Sequence, residues 1–214
     1  MKKAVVLLSG GLDSAVTLFI AKHRGYACHP LIFDYGQRHE RETAYARKVS
    51  RAAKTAAPAV MRISMPWLGS ALLDKRIKLP SRRTRSIPVT YVPGRNTVFL
   101  AFAVSYAEAI GARAIYIGAH SEDYSGYPDC RKEYFDAFKK AMDLGTKRGS
   151  RIRIETPLIS MRKAGIIKLG TKLGVPFGLT WSCYAGRAKP CGVCDSCYYR
   201  KKGFREAGLK DPAE

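Results

Sequence analysis

The chain has 214 residues, 46% of them hydrophobic, enough for one sizeable core, and no apolar run reaches membrane-spanning length. Lys and Arg outnumber Asp and Glu by 38 to 17, a formal charge of +21 that attracts polyanions. A basic surface that recruits a nucleotide and one that binds tRNA both fit this charge, and charge alone does not choose between them. The opening MKKAVVLLSGG has too short an apolar part and no small-residue cleavage site for a secretory signal, so a cytoplasmic protein is expected.

Ala4–Leu8 form an apolar run that leads straight into Ser9-Gly10-Gly11-Leu12-Asp13-Ser14, and a helical period follows at once, with Val16, Phe19 and Ile20 on one face. This pattern predicts a buried strand, a glycine turn and a helix start. Such a turn leaves backbone N–H groups pointing one way, and the helix N-terminus behind it adds unpaired donors and partial positive charge, a concavity suited to phosphate. Ser9 and Ser14 can donate hydroxyls, while Asp13 either caps the helix or faces phosphates through Mg²⁺. The order is neither GxxxxGK[ST] nor GxGxxG. It resembles the pyrophosphatase loop of ATP-dependent adenylating enzymes, which cut ATP to AMP and pyrophosphate. An ordinary glycine-rich turn with an Asp cap is the bland alternative.

A second strand is predicted at 29–34, ending in Asp34-Tyr35-Gly36-Gln37, with Cys28 as a half-buried strand residue. A helix rich in Ala, Arg, Glu and Lys is predicted over 39–57, and a short strand over 60–64. Alternating strands and helices imply a parallel sheet with helices on both faces. Ligands of such sheets sit outside the strands' carboxyl ends, so the phosphate loop and the 34–37 segment should share a crevice.

Residues 65–93 break this rhythm and read as a lid or partner surface with a short helical piece at 67–73. Val92-Pro93-Gly94-Arg95-Asn96 opens a helix over 96–110. Arg95 at its start can hold phosphate or carboxylate, and Asn96 can cap. AIYIGAH (114–120) is the fourth strand. The segment after it gathers Ser121, Glu122, Asp123, Tyr124, Tyr127, Asp129 and Cys130, groups suited to stacking on and hydrogen bonding a planar heterocycle. An amphipathic helix follows at 133–145, with Phe135, Phe138 and Met142 as core residues. A fifth strand is expected over 151–160 and a helix over 162–174, where Lys163 either points at phosphate or is an ordinary exposed lysine.

Cys183, Cys191, Cys194 and Cys197 crowd into fifteen residues. In a cytoplasmic chain this spacing argues for a metal rather than disulfides: CxxC supplies two corners of a tetrahedron on one turn, and a closed four-thiolate zinc site is structural. An iron–sulfur cluster is the alternative. The tail helix YYRKKGFREAG would be pinned back by the metal. The fold class is therefore α/β: a five-stranded parallel sheet with helices on both faces over residues 1–180, and a zinc-binding helical appendage over 181–214.

SGGLDS (9–14), FDYGQRH (33–39), VPGRN (92–96), GYPDCR (126–131), IETPL (154–158) with Lys163, and the C-terminal cysteines together resemble the 7-cyano-7-deazaguanine synthase family over about residues 4–205. The resemblance implies an adenine nucleotide alpha-hydrolase-like, Rossmann-like fold. The implied enzyme uses ATP and ammonia to turn 7-carboxy-7-deazaguanine into its nitrile, on the route to queuosine or archaeosine. Adenylation of the acid, amide formation and a second adenylation with loss of AMP are the implied steps, with Mg²⁺ accompanying ATP, structural Zn²⁺ and a homodimer. It implies Asp13, Arg95, Asp123 and Lys163 as catalytic residues. Leu8, Ser9, Gly10, Gly11, Leu12, Asp13, Ser14, Asp34, Tyr35, Gln37, Arg95 and Asn96 would bind ATP, and Tyr127, Asp129 and Arg131 the substrate.

The chain departs from the family pattern at Leu12, where many members carry Gln, in a Cys183–Cys191 gap about one residue short, and in a more basic 74–90 stretch. A tRNA-amidating or tRNA-thiolating enzyme is the competing reading, and a zinc-bearing RNA-binding module a weaker one. Only Cys28 and Cys130 lie outside the cysteine knot, which speaks against a thiolase. The absence of a glutaminase segment points to free ammonia as donor.

Overall fold

The computed structural model describes residues 1–37, 41–79, 87–120, 127–186 and 188–213. Five parallel strands form one sheet: β1 (Lys3–Leu7), β2 (Ala27–Asp34), β3 (Ala59–Arg62), β4 (Ala114–Tyr116) and β5 (Arg153–Glu155), in the order β3-β2-β1-β4-β5. The first register runs Lys3 to Ala27 through Leu7 to Leu31, and Ala4 to Val6 of β1 pair with Ala114 to Tyr116 of β4. The chain therefore builds outward on one side of β1, then crosses to the other. The reversal leaves a crevice beyond the carboxyl ends of β1 and β4.

Successive residues of β1 serve opposite faces, as the pleat requires. Ala4, Val6 and Leu8 face α1 (Leu12–His23), α2 (Arg41–Ala52), α5 (Lys163–Lys172) and α6 (Asp195–Ala207). Val5 and Leu7 face α3 (Arg95–Ala109) and α4 (Lys132–Gly145). Because both faces are covered, β1 reads as a continuous apolar run, as buried parallel strands do. Phe135 and Met142 are buried on α4, and Phe138 is partly buried against them. Short 3₁₀ turns at Pro128–Cys130 and Phe177–Leu179 complete the regular structure.

Five expectations need correction, the first being a fourth strand that stops at Tyr116 instead of running to His120. The piece at 67–73 is no helix; its chain turns at Ser70, whose carbonyl accepts from Leu73 and Asp74 N–H groups. Pro66 and Gly69 break the period there. The fifth strand is only Arg153–Glu155, because Pro157 lacks an N–H and the chain turns through 157–160. Cys28 is buried rather than half-buried. Lys163 is not an exposed surface lysine: it is 8% exposed. Among the described residues no helix is long and apolar enough to cross a membrane.

Candidate active site

The turn after β1 is held by its own hydroxyls. The Ser9 N–H donates to Ser14 Oγ (3.2 Å), Gly11 N–H donates to Ser9 Oγ (3.2 Å), and Ser14 Oγ donates to the Gly11 carbonyl (3.0 Å). Gly10 has a φ of +86°, and a Cβ there would lie 2.5 Å from Ala46 N and 2.6 Å from the Glu42 carbonyl oxygen. Both constraints demand glycine. Gly11 is the N-cap of α1 and has no side chain to cap it, so the first-turn N–H groups stay available for an anionic ligand.

Asp13, in the first turn of α1, lines the crevice. Lys163 Nζ lies 2.7 and 2.9 Å from its two oxygens, and His120 Nε2 lies 3.6 Å from Oδ2 and 2.9 Å from Lys163 Nζ. Burial alone would raise the Asp13 carboxyl, but the Lys163 ammonium and the hydrogen bonds of Lys163 and His120, with a further pull whenever the His120 ring is protonated, overcome it and hold the group well below the usual carboxylate range. Asp13 is thus an obligate anion at neutral pH. His120 was not singled out from the sequence; its only signal was its place at the end of a strand.

A cavity of about 240 Å³ opens on the other side of Asp13, with Lys163 and His120 buried behind that carboxylate rather than in the wall. The structure brings Leu8, Ser9, Gly11, Leu12, Asp13, Ser14, Tyr35, Gln37, Arg95 and Asn96 into its wall, all expected for ATP. Gly10 shapes the wall from behind. Tyr35 is held by its neighbour: its N–H donates to Gln37 Oε1 (2.8 Å), and Gln37 Nε2 donates to the Phe33 carbonyl (3.3 Å). The Arg95 guanidinium reaches the Tyr35 hydroxyl at 3.5 Å. Asp34 is not in the wall; its carboxylate faces Arg62 at 3.8 Å.

Of the residues expected for substrate, Asp129 is buried. Its Oδ2 accepts from the Asn96 N–H (2.9 Å) and its carbonyl from Asn96 Nδ2 (3.0 Å), so it caps α3 from outside that helix. Tyr127 pairs through its hydroxyl with Thr90 Oγ1 (2.9 Å), and Arg131 is an exposed residue at the start of α4. Asp123 lies outside the described residues, as do Arg38 and His39.

Sequence reasoning missed several wall residues: Glu42, Phe99, Trp181, Ser182, Tyr184 and Ser196. Phe33 and Phe99 stack at 3.9 Å between centroids, giving the crevice an apolar side where a planar ring can rest. Trp181 is the link to the cysteines. Its N–H donates to the Gly10 carbonyl (2.9 Å), and its indole Nε1 donates to the Cys183 carbonyl (2.8 Å).

The four cysteine sulfurs lie within 4.8 Å of one another, with Cys191 and Cys197 at 4.0 Å. Backbone N–H groups aim at them, among them Ala185 and Cys191 at Cys183 Sγ (3.4 and 3.2 Å), and Cys194 at Cys191 Sγ (3.4 Å). Cys183 is held far below the thiol range by hydrogen bonds from Cys194 and Cys197, and both of these are pushed up in exchange. Four thiols this close cannot all ionise without a cation among them, and the spacing suits a tetrahedral centre with sulfur ligands near 2.3 Å.

Comparison with known proteins agrees with this geometry. The family described as "Queuosine biosynthesis protein QueC" matches residues 3–208. A 7-cyano-7-deazaguanine synthase of Methylococcus capsulatus is 52% identical over 218 residues, covering 99% of this chain and 98% of its own. A 7-cyano-7-deazaguanine synthase of Thermoplasma acidophilum is 51% identical over 219 residues, covering 100% of this chain and 92% of its own. Among solved structures, an NMN synthetase from Francisella tularensis superposes with a TM-score of 0.53 at 19% identity, over 98% of this chain and 78% of that one, a likeness of fold. With its phosphate loop, its crevice and its cysteine knot in these places, the chain belongs to the QueC family of queuosine biosynthesis proteins.

Proposed function

We propose that this chain is an ATP-dependent ligase that converts 7-carboxy-7-deazaguanine and ammonia to 7-cyano-7-deazaguanine. Family membership names the reaction, and one observation ties it to this molecule: the Ser9–Ser14 turn, with Asp13 held ionised between Lys163 and His120, opens into a cavity that also has an apolar ring-stacking wall.

A carboxylate is a poor electrophile because hydroxide leaves badly, whereas AMP leaves well. The uncapped first turn of α1, the Ser9 and Ser14 hydroxyls and the Arg95 guanidinium receive phosphate oxygens and fix ATP in line with the acid. Asp13, already paired with Lys163, is the carboxylate that would hold the Mg²⁺ accompanying ATP, and such an ion would offset phosphate charge. Lys163 keeps Asp13 ionised and adds a cation at the same edge. The stacked Phe33 and Phe99 rings form the apolar side on which the deazaguanine rests, and they help exclude water from the acyl adenylate. Cys183, Cys191, Cys194 and Cys197 would hold a structural Zn²⁺, four thiolates closing its coordination. The enzyme works as a cytoplasmic homodimer.

The test is incubation of purified protein with ATP, Mg²⁺, ammonium and 7-carboxy-7-deazaguanine, read by mass spectrometry. Nitrile and AMP are expected. Return of the acid alone overturns the reading. The charge of +21 favours one competitor, modification of a deazaguanine already in tRNA, which would release AMP only when tRNA is added.

A further inference from the structure

Two carboxylates stand in the cavity wall among the described residues, and they are furnished differently. Asp13 is occupied by Lys163 and His120. Glu42, in the first turn of α2, has no hydrogen bond or ion pair to its carboxylate among the described residues. The groups within electrostatic reach are the Arg95 guanidinium from α3 and the Tyr35 phenol from the end of β2. The first turn of α2 is seated on the phosphate loop, because the Gly10 Cα packs against the Glu42 carbonyl. The Glu42 backbone is thus seated on the Ser9–Ser14 turn, and the residue lines the same cavity as Asp13 and Arg95. Burial pushes its carboxyl up to about 7, with Arg95 pulling the other way, so it exchanges a proton near neutrality.

Ammonia is almost wholly ammonium at neutral pH, and ammonium has no lone pair to attack with. We infer that Glu42 is the catalytic residue that accepts the proton of ammonium and so releases ammonia against the acyl adenylate. This assignment rests on the ligase reading above. An N–H bond of ammonium breaks and its proton passes to the Glu42 carboxylate. The freed lone pair forms the C–N bond at the acyl carbon. The C–O bond to AMP then breaks, AMP leaves with the electron pair, and the ammonio group of the adduct loses a second proton to solvent to give the amide. No oxidant or reductant enters.

Hydroxylamine separates this role from any other, because it is largely unprotonated at neutral pH and needs no base to free its lone pair. Wild-type protein and Glu42→Gln are compared with ATP, Mg²⁺ and 7-carboxy-7-deazaguanine, using either ammonium or hydroxylamine. The expected result is a roughly 100-fold loss of ammonium-dependent amide and nitrile in the variant. Hydroxamate formation should fall by less than about fivefold, and the ammonium defect should shrink as pH is raised towards free ammonia. An equal loss with both nucleophiles, or no loss with ammonium, overturns the assignment while leaving the ligase reading intact. Wild-type protein that makes neither amide nor hydroxamate overturns the ligase reading and the assignment with it. Glu42→Asp, which keeps a carboxylate on a shorter stem, gives the same nucleophile ratio in weaker form and decides the matter if the Gln variant fails to fold. A Glu42→Asp ratio equal to wild type in that case counts against the assignment.

Discussion

Replacement of Lys163 by Met isolates the charge that holds Asp13. Lys and Met have similar unbranched stems, so the packing of the Lys163 stem against Gly203 is kept while the ammonium is removed. Removing one member of a buried ion pair costs about 3–5 kcal/mol. Two features of the site reduce that figure. The Asp13 side chain is 27% exposed, and His120 stands 3.6 Å away and can take up a proton in place of the lost charge. A loss of about 2 kcal/mol is expected at pH 8, or roughly 4–8 °C in melting temperature for a chain of this size.

The pH dependence gives the sharper check. In the wild type the depressed Asp13 carboxyl contributes stability that is present above its unfolded value of 3.8 and is lost only as pH falls through its far lower folded value. It therefore adds nothing to the slope between pH 5.5 and 8. In the variant the remaining cation is imidazolium, whose contribution is present below about 6.5 and fades as pH rises through its folded value. The difference in melting temperature should therefore be smaller at pH 5.5 than at pH 8. Thermal melts of both proteins at the two pH values measure it. A deficit that is equal at both, or largest at pH 5.5, refutes the three-group arrangement.

Two further outcomes follow from the geometry. Asp129→Ala removes a charge-assisted cap from α3, expected to lower stability by about 1–2 kcal/mol with a visible drop in melting temperature. An unchanged melt with a raised KM for the deazaguanine acid would instead make Asp129 a substrate contact. Cys194→Ser should lose bound metal, measured by elemental mass spectrometry, and cost at least about 3 kcal/mol. It should also weaken ATP binding, since Trp181 ties Cys183 to the Gly10 carbonyl. A metal-free variant with a normal melt and normal ATP affinity would show the knot to be dispensable.

The parallel sheet was legible because its buried strands are apolar runs punctuated by Gly and Pro, and the phosphate loop because its shape is dictated within six consecutive residues. The last strand was overextended because ILE-type alternation in RIRIETPLIS continues past Pro157, where pairing stops. Glu42, Phe99 and Trp181 left no local mark, and His120 left only its place at the end of an expected strand. Their positions in the cavity come from packing between elements far apart in sequence, as with Lys163 and Asp13, 150 residues apart. Asp34 and Asp129 look like ligand carboxylates on composition, yet an arginine on β3 faces one and a helix N-terminus engages the other. A single sequence shows that a carboxylate sits at a strand end, but not which neighbour reaches it first.

The phosphate loop is written in the first fourteen residues, but Lys163 and Trp181, which fix its charge and its backbone, come late in the chain. During synthesis the loop leaves the ribosome long before these partners exist. A nascent chain cut before residue 163 carries the Ser9–Ser14 turn without the ammonium that pairs with Asp13, and one cut before residue 181 also lacks the N–H that holds the Gly10 carbonyl. These contacts are among the most non-local in the fold, so assembly of the crevice requires the chain to be made at least through Trp181.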